Sequence, residues 1–363
     1  MMDYDPEARR DTPLALKLKE RIRREGPITV AQYMDACLQD PDYGYYVKQP
    51  AIGAKADFVT APEISQVFGE LIGLWCAVVW QQMGCPTPFD LVEYGPGRGT
   101  MMADALRALA KAPDCLAAAR VKLVEVSPAL RKIQQTTLRS APGDITWHAA
   151  LHGAAEPRRA IVLANEVIDA QPVEQRVDSN GTLHGRCLVL DGNGMLQFCV
   201  RSPEGMMPDQ PDDLSEVREL HSLISHDLAG LPAVAALIFD YGHLRSVAGD
   251  TLQAVRSHRF EHPLTSPGEA DLTAQVDFEH LAGQCRNAGF AIDGPITQGE
   301  FLAALGIAER ASRLMTANPQ RAGEIEAGVA RLMSPTGMGT LFKAIGLRSP
   351  DLPPLPGFPG PRS

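Results

Sequence analysis

The stretch that most constrains this chain is Leu91-Val92-Glu93-Tyr94-Gly95-Pro96-Gly97-Arg98-Gly99-Thr100. Residues 89–94 form a short apolar run with one carboxylate near its end, the pattern of a buried parallel strand. From Thr100 the pattern turns helical: Met101, Ala105, Leu106 and Leu109 fall on one face, and Ala and Leu are strong helix formers. The unit is therefore strand, glycine turn, helix. Glycines let backbone approach a ligand closely, and the helix start offers unpaired N–H groups there. A Walker loop needs a Gly-Lys-Ser/Thr ending, which is absent. A dinucleotide fingerprint needs GxGxxG, and here the third glycine, Gly99, comes one residue early. S-adenosylmethionine remains as the candidate ligand, beside the plainer reading of a tight strand-to-helix turn.

Composition removes several classes. The net charge is −10 and no basic block occurs, which argues against non-specific nucleic-acid or membrane binding and suits a cationic ligand or a basic protein substrate. The most apolar stretch, residues 69–80, is too short to span a bilayer and reads as a buried helix, so no membrane insertion is expected. Seven cysteines are scattered without a CxxC pair, and the polar start MMDYDPEARRD has no apolar signal core. Both features lead us to expect a reduced, cytoplasmic protein.

Taken in order, residues 14–24 and 29–38 read as helices, with Thr29 a candidate cap. Pro62 and Glu63 open a helix running from Gln66 to Met83. Beyond the central unit, strands are expected at 121–126, 145–148 and 160–164, alternating with helices such as 129–138, which argues a doubly wound, mostly parallel sheet. Short alternating runs at 173–177, 183–190 and 195–200, separated by Asn180-Gly181 and Gly192-Asn193-Gly194, are hairpin signals. Residues 215–228 and 276–288 read as helices, 233–240 as a buried strand, and 298–347 as helical in pieces. The organisation expected is an N-terminal helical segment (1–88), a Rossmann-like core (89–170 and 233–297), a β-hairpin and helix insertion (171–232), C-terminal helices (298–347) and a proline-rich tail (348–363).

In open α/β sheets ligands bind at the carboxyl ends of strands. There lie Glu93 with the glycine turn, Glu125, Asn165-Glu166 with Asp169, and Asp240-Tyr241. Glu125 ends the next strand, where a carboxylate can accept both hydroxyls of a ribose, although a solvated strand-end charge would look the same. His148 and His152 are four apart but have no third ligand, so no metal site is expected.

With these residues in view, the chain resembles the MidA family of class I S-adenosylmethionine-dependent methyltransferases. The matching stretches are DFVTAPEISQVFGELIG (57–73), VEYGPGRGTMMADALR (92–107), LVEVSPALRKIQ (123–134), LANEVIDAQPVEQ (163–175), FDYGH (239–243), SPGEADLTAQVDFEHL (266–281) and MGTLFKAIGL (338–347). The resemblance implies a Rossmann-like seven-stranded methyltransferase sheet with an antiparallel β insertion and additional helices. It implies S-adenosyl-L-methionine as methyl donor and S-adenosyl-L-homocysteine as product. The implied cofactor-binding residues are Thr60, Glu63, Glu93, Gly95, Pro96, Gly97, Gly99, Thr100, Glu125, Val126, Ser127 and Asn165.

Mitochondrial members of the family are protein-arginine methyltransferases acting in respiratory complex I assembly. The partner implied is thus a protein substrate carrying a target arginine, such as a complex I subunit, with a homodimer as a further expectation. Asn165, Glu166 and Asp169 are the implied catalytic residues: carboxylates that orient a guanidinium and take its proton, with Asn165 bridging cofactor and substrate. Their rival reading is a capping element that orders the loop. Where the family has two aromatics after Asn-Glu and a leucine before the proline, this chain has Val167-Ile168 and Gln171. A non-catalytic assembly factor, an NAD-dependent oxidoreductase and a small-molecule methyltransferase stand as rival readings.

Overall fold

The structure is a computed structural model and describes residues 4–48, 60–151, 158–179, 182–202, 205–207, 209, 214–217, 228 and 230–359. The Asn180-Gly181 turn, His152 and residues 218–227 lie outside these. The chain divides into two compact units, one comprising residues 59–167, 220–245 and 278–363 and the other 1–58, 168–219 and 246–277.

The first of these carries a mixed sheet. Its strands are β1 (Phe89–Tyr94), β2 (Ala119–Val124), β3 (Asp144–His148), β4 (Ala160–Asn165), β5 (Val234–His243), β6 (Ala291–Thr297) and β7 (Phe342–Arg348), in the order β3-β2-β1-β4-β5-β7-β6. β1 to β5 are parallel, and β7 runs antiparallel between β5 and β6. The sequence order reverses beside β1: β2 lies on one side and β4 on the other. That reversal is the switch point at which open α/β sheets bind ligands.

Helix α1 (Gln66–Gln82) starts at Ser65, whose Oγ accepts the Val67 N–H at 3.3 Å. Helix α2 (Thr100–Leu109) follows the glycine turn and buries Met101, Met102, Ala105, Leu106 and Leu109. The two helices pack closely because Gly69 and Gly73 lie one turn apart on α1: a Cβ on Gly69 would sit 2.6 Å from the Asp104 Cβ. Helix α3 (Pro128–Thr137) is capped by the Ser127 Oγ, which accepts the Leu130 N–H at 3.4 Å. The core includes Phe68, Trp75, Phe89, Leu91, Leu163, Phe239 and Phe301. The proline-rich tail is packed down: the Trp75 Nε1–H donates to the Pro356 carbonyl at 3.0 Å, and Phe358 lies against Phe301 with centroids 5.0 Å apart.

Residues 342–348 were expected within a helical segment and form a central strand instead. Six of those seven residues are buried, so the polar alternation that marks a half-exposed strand is missing.

In the second unit the helices Pro13–Glu25 and Val30–Gln39 start at Thr12 and Thr29, the latter in a capping box with Gln32. Five antiparallel strands follow the order Leu214–Val217, Glu174–Ser179, Thr182–Leu190, Leu196–Ser202, Gly205–Met207. A small sheet pairs Gln253–Arg256 with Arg259–Glu261 and Asp271–Thr273. Leu14, Tyr33, Met34, Leu188, Phe198 and Leu272 share the core. Arg186, almost fully buried, holds Asp209 and Asp250 and stacks over Phe198. Residues 214–217, expected to end a loop at Leu214 and begin a helix at Ser215, pair as a strand with 174–177, because Leu214 fills a small apolar cluster with Val177 and Val200. Residues 276–277 are also extended, and the helix expected from 276 begins at Phe278.

Candidate active site

The carboxyl ends of β1, β2, β4 and β5 carry the carboxylates singled out above, apart from Glu63 and Asp169. After β1 the chain turns through Gly95, Gly97 and Gly99, each with φ between 53° and 83°, a region only glycine adopts without cost. A Cβ on Gly95 would also lie 2.8 Å from the Val167 Cγ2, so the valine after Asn165-Glu166 packs directly on the turn. Pro96 and Gly97 are buried, and the Gly99 N–H closes the turn onto the Pro96 carbonyl at 2.7 Å. The Thr100 hydroxyl donates to Glu63 Oε1, and the Arg98 Nε lies 3.9 Å from Glu63 Oε2. Thr60 precedes the short helix Ala61–Ile64 and accepts the Glu63 N–H at 3.0 Å through its carbonyl.

Glu93 is 2% exposed. Burial pushes its carboxyl up to about 8. Its Oε2 has no hydrogen-bond partner within the protein. Asn165, at the end of β4, presents a second such buried acceptor, its Oδ1. The two residues are on neighbouring strands, because Glu93 pairs with Leu163 in register. Both atoms lie at the switch point, without a hydrogen-bond partner among the described residues.

Glu125 follows β2 and is 6% exposed. Its Oε1 accepts the Ser127 N–H at 2.8 Å and its Oε2 the Gln134 Nε2–H at 3.0 Å. Burial raises its pKa, while these donors pull it down. Val126, beside it, is 57% exposed. Gln134 was not singled out from sequence. The signal was available: it follows Leu130 by four residues, on the stripe of α3 that faces the core.

Glu166 has a φ of 55°, unusual for a side chain other than glycine and costing about 1–3 kcal/mol. The surroundings enforce it. Its N–H donates to the Phe239 carbonyl at 2.9 Å, and its Oε1 accepts the Ala61 N–H at 3.2 Å and the Asn165 Nδ2–H at 3.1 Å. Fully buried Asp240 secures the next residue, taking the Val167 N–H at 3.2 Å and the Tyr241 N–H at 2.9 Å. Asp169 belongs to the second unit, where its Oδ1 accepts the Ala170 N–H at 2.8 Å and its carbonyl the Ala274 N–H at 3.1 Å. In the same unit the Tyr46 hydroxyl donates to Asp271 at 2.9 Å.

His148 bonds the Thr146 hydroxyl at 2.8 Å. Among the described residues no cluster of three or more His, Cys, Asp and Glu has the geometry of a metal site, and no helix is long and apolar enough to cross a membrane.

A family model of S-adenosyl-L-methionine-dependent methyltransferases matches residues 71–296. A Drosophila melanogaster protein, protein arginine methyltransferase NDUFAF7 homolog, mitochondrial, is 35% identical over 374 residues, spanning 92% of this chain and 84% of that one. The Homo sapiens protein arginine methyltransferase NDUFAF7, mitochondrial, is 34% identical over 371 residues, spanning 93% and 83%. Among solved structures, a COG1565 superfamily member from Burkholderia thailandensis bound to S-adenosyl-homocysteine superposes with a TM-score of 0.79 at 25% identity, covering 98% of this chain and 96% of that one. A native COG1565 superfamily structure from the same organism gives 0.82 at 27% identity, covering 98% and 99%. The expected cytoplasmic location is overturned by the Drosophila and human relatives, which are mitochondrial; unpaired thiols and a polar start do not distinguish one reducing compartment from another. With a glycine turn at the switch point of a mixed sheet and a family match over most of that sheet, this chain belongs to the S-adenosyl-L-methionine-dependent methyltransferases and is an enzyme that uses that cofactor.

Proposed function

We propose that the enzyme methylates the guanidinium of an arginine on a protein substrate, specifically a subunit of respiratory complex I, and that it works as a homodimer. The arginine activity of its relatives supports the acceptor class. The observation that carries the reading is Glu166, a carboxylate fixed at the end of β4 by a left-handed backbone and two N–H donors on one oxygen. A side chain held this firmly matches a task that depends on placing a nucleophile in line.

The residues present fit the cofactor. Glu93 Oε2 and Asn165 Oδ1 are acceptors for an ammonium group, and Glu125 has the lone pairs for a ribose diol. The turn Gly95-Pro96-Gly97, with Gly99 and Thr100, supplies backbone N–H groups and close approach. Thr60, Glu63, Val126 and Ser127 complete the set we assign to cofactor binding. Once bound, the sulfonium supplies an already activated methyl group.

The protein must then handle the acceptor. A guanidinium, protonated at every physiological pH, is a poor nucleophile. Glu166 orients it, draws its positive charge toward the nitrogens it contacts, and receives the proton released on transfer. Asn165, bonded to Glu166, links the cofactor side to the acceptor side. Asp169, three residues further on, is the second carboxylate we assign to guanidinium binding.

Glu166→Gln preserves the shape of the side chain and its acceptance of the Ala61 N–H while removing the charge. Turnover on an arginine peptide, followed as S-adenosyl-homocysteine formed, should fall by about 10²-fold or more. Calorimetric affinity for S-adenosyl-homocysteine should stay within a few-fold. Undiminished turnover would refute the assignment. Arginine-methylation proteomics of mitochondria with and without the protein tests the acceptor, and light scattering tests the dimer.

A further inference from the structure

We propose that Gln134 is a positioning residue for cofactor binding: its single amide ties the Glu125 carboxylate to the Gly97 carbonyl and sets the orientation in which Glu125 meets a ribose diol. This rests on the reading of Glu125 as the ribose-binding carboxylate.

Gln134 is fully buried, on the core-facing side of α3. A buried amide costs free energy unless its polar atoms are paired. Here three bonds satisfy it, and their polarity is fixed from one end. The Trp147 Nε1–H, at 3.0 Å, is a donor with no acceptor capacity, so the amide atom facing it is the oxygen. The Nε2 group must then send one hydrogen to the Gly97 carbonyl at 2.8 Å and the other to Glu125 Oε2 at 3.0 Å. Glu125 Oε1 is held separately by the Ser127 N–H at 2.8 Å. Each carboxylate oxygen thus takes one donor from the protein and keeps lone-pair capacity for another. That is the acceptor set for two adjacent hydroxyls. Rotating the carboxylate breaks one of the two bonds, so the diol meets an acceptor already in place.

The bridge also joins two parts of the cofactor cradle. Gly97 lies in the turn after β1 and Glu125 after β2, and Gln134 fixes the distance between them. The groups facing Glu125 are few: the backbone N–H groups of Val126 and Ser127, the Gln134 amide, and Arg131. The Arg131 Nε donates to the Glu125 backbone carbonyl at 2.7 Å. The Glu125 N–H goes to the His148 carbonyl at 2.9 Å, while the His148 ring bonds Thr146.

The test uses the full chain and calorimetry with S-adenosyl-homocysteine and its 2′-deoxy analogue, from about pH 5 to about pH 8. Glu125→Ala should abolish the preference for the ribose form. Gln134→Met, similar in volume but without donors, should weaken S-adenosyl-homocysteine about tenfold and lose most of the same preference. The double variant should bind no more weakly than Glu125→Ala alone, because Gln134 acts through Glu125. Gln134→Glu keeps an acceptor for Trp147 but sets a carboxylate against a carboxylate. Its affinity, taken relative to the wild type because wild-type affinity itself rises with pH as buried Glu93 ionises, should recover as pH falls and the pair shares a proton. A residue that only packs α3 would give no such recovery.

If Gln134→Met keeps the ribose preference, if the two single losses add, or if Gln134→Glu follows the wild-type pH trend, the proposal is overturned while the ribose reading stands. If Glu125→Ala keeps the preference, the ribose reading itself falls. Melting temperatures recorded alongside show any loss due to unfolding, and should Gln134→Met not fold, the pH trend of Gln134→Glu decides alone.

Discussion

β1 buries two carboxylates three residues apart, and they are treated in opposite ways. Asp90, at the start of the strand, is 2% exposed and lies 2.8 Å from the Lys122 Nζ of β2, with the Arg158 Nη1 3.8 Å from its other oxygen. Glu93, at the end, is equally buried, and among the described residues no side-chain cation offsets its desolvation. A buried charge is tolerated when its partner comes with it, and breaking such a pair is costly. Asp90 has its partner built into the next strand. Glu93 stands where the sheet order reverses, on the strand next to that of Asn165, and we propose that it meets the ammonium of the cofactor. On the function proposed above, the two ends of one strand separate a carboxylate kept for folding from one kept for binding.

The contrast is most easily broken at Asp90. Lys122→Met would leave that buried carboxylate with Arg158 alone, 3.8 Å from its other oxygen, with an expected loss of up to about 3–5 kcal/mol in urea unfolding. A double variant with Asp90→Leu should recover most of it, since an apolar pair of similar volume replaces a buried ion pair at little cost. S-adenosyl-homocysteine affinity of the folded protein should be unaffected by either. If Lys122→Met costs under about 1 kcal/mol, Asp90 is not the structural carboxylate we take it to be.

Glu93→Gln should act with the opposite sign on stability. The folded-state pKa of Glu93, about 8, lies above its ordinary value of 4.5. Between those values the folded chain holds a proton that the unfolded chain has lost, so stability falls as pH rises across that window. Glutamine removes the dependence. The variant should match the wild type near the lower value and exceed it by about 4 kcal/mol at the upper one. Affinity for S-adenosyl-homocysteine should meanwhile fall about tenfold or more, the worth of one charge-assisted hydrogen bond. A variant less stable than the wild type at high pH would mean that Glu93 is satisfied by the protein after all.

What the chain discloses before folding follows the same divide. The strand, glycine turn and helix at 89–109 were legible because each piece rests on local chemistry: apolar run, positive-φ glycines, strong helix formers. Residues 342–348 were not. Ala344, Ile345 and Leu347 are 0% exposed, and the segment becomes a strand through pairing with β5 and β6, which no local signal announces. Glu93, Glu125 and Glu166 could be placed at strand ends from the sequence. That Glu93 has no cation, that Glu166 sits at a φ of 55°, and that Gln134 bridges Glu125 to the glycine turn are facts of three dimensions.

The smallest effect is the sharpest test of the comparison. Near neutral pH most Glu93 carboxyls carry their proton, because burial holds the group at about 8. Placing an ammonium beside it favours the carboxylate, so binding should release up to one proton per site. Calorimetric titrations of S-adenosyl-homocysteine in two buffers of different ionisation enthalpy measure that number directly. Release should shrink as pH rises past about 8 and the free protein has already lost the proton. Glu93→Gln should abolish it, while Lys122→Met should leave it intact, since Asp90 takes no part in binding. Proton release that persists in Glu93→Gln would move the titrating group elsewhere in the site, and none at all in the wild type would mean that Glu93 is already ionised and no different in kind from Asp90.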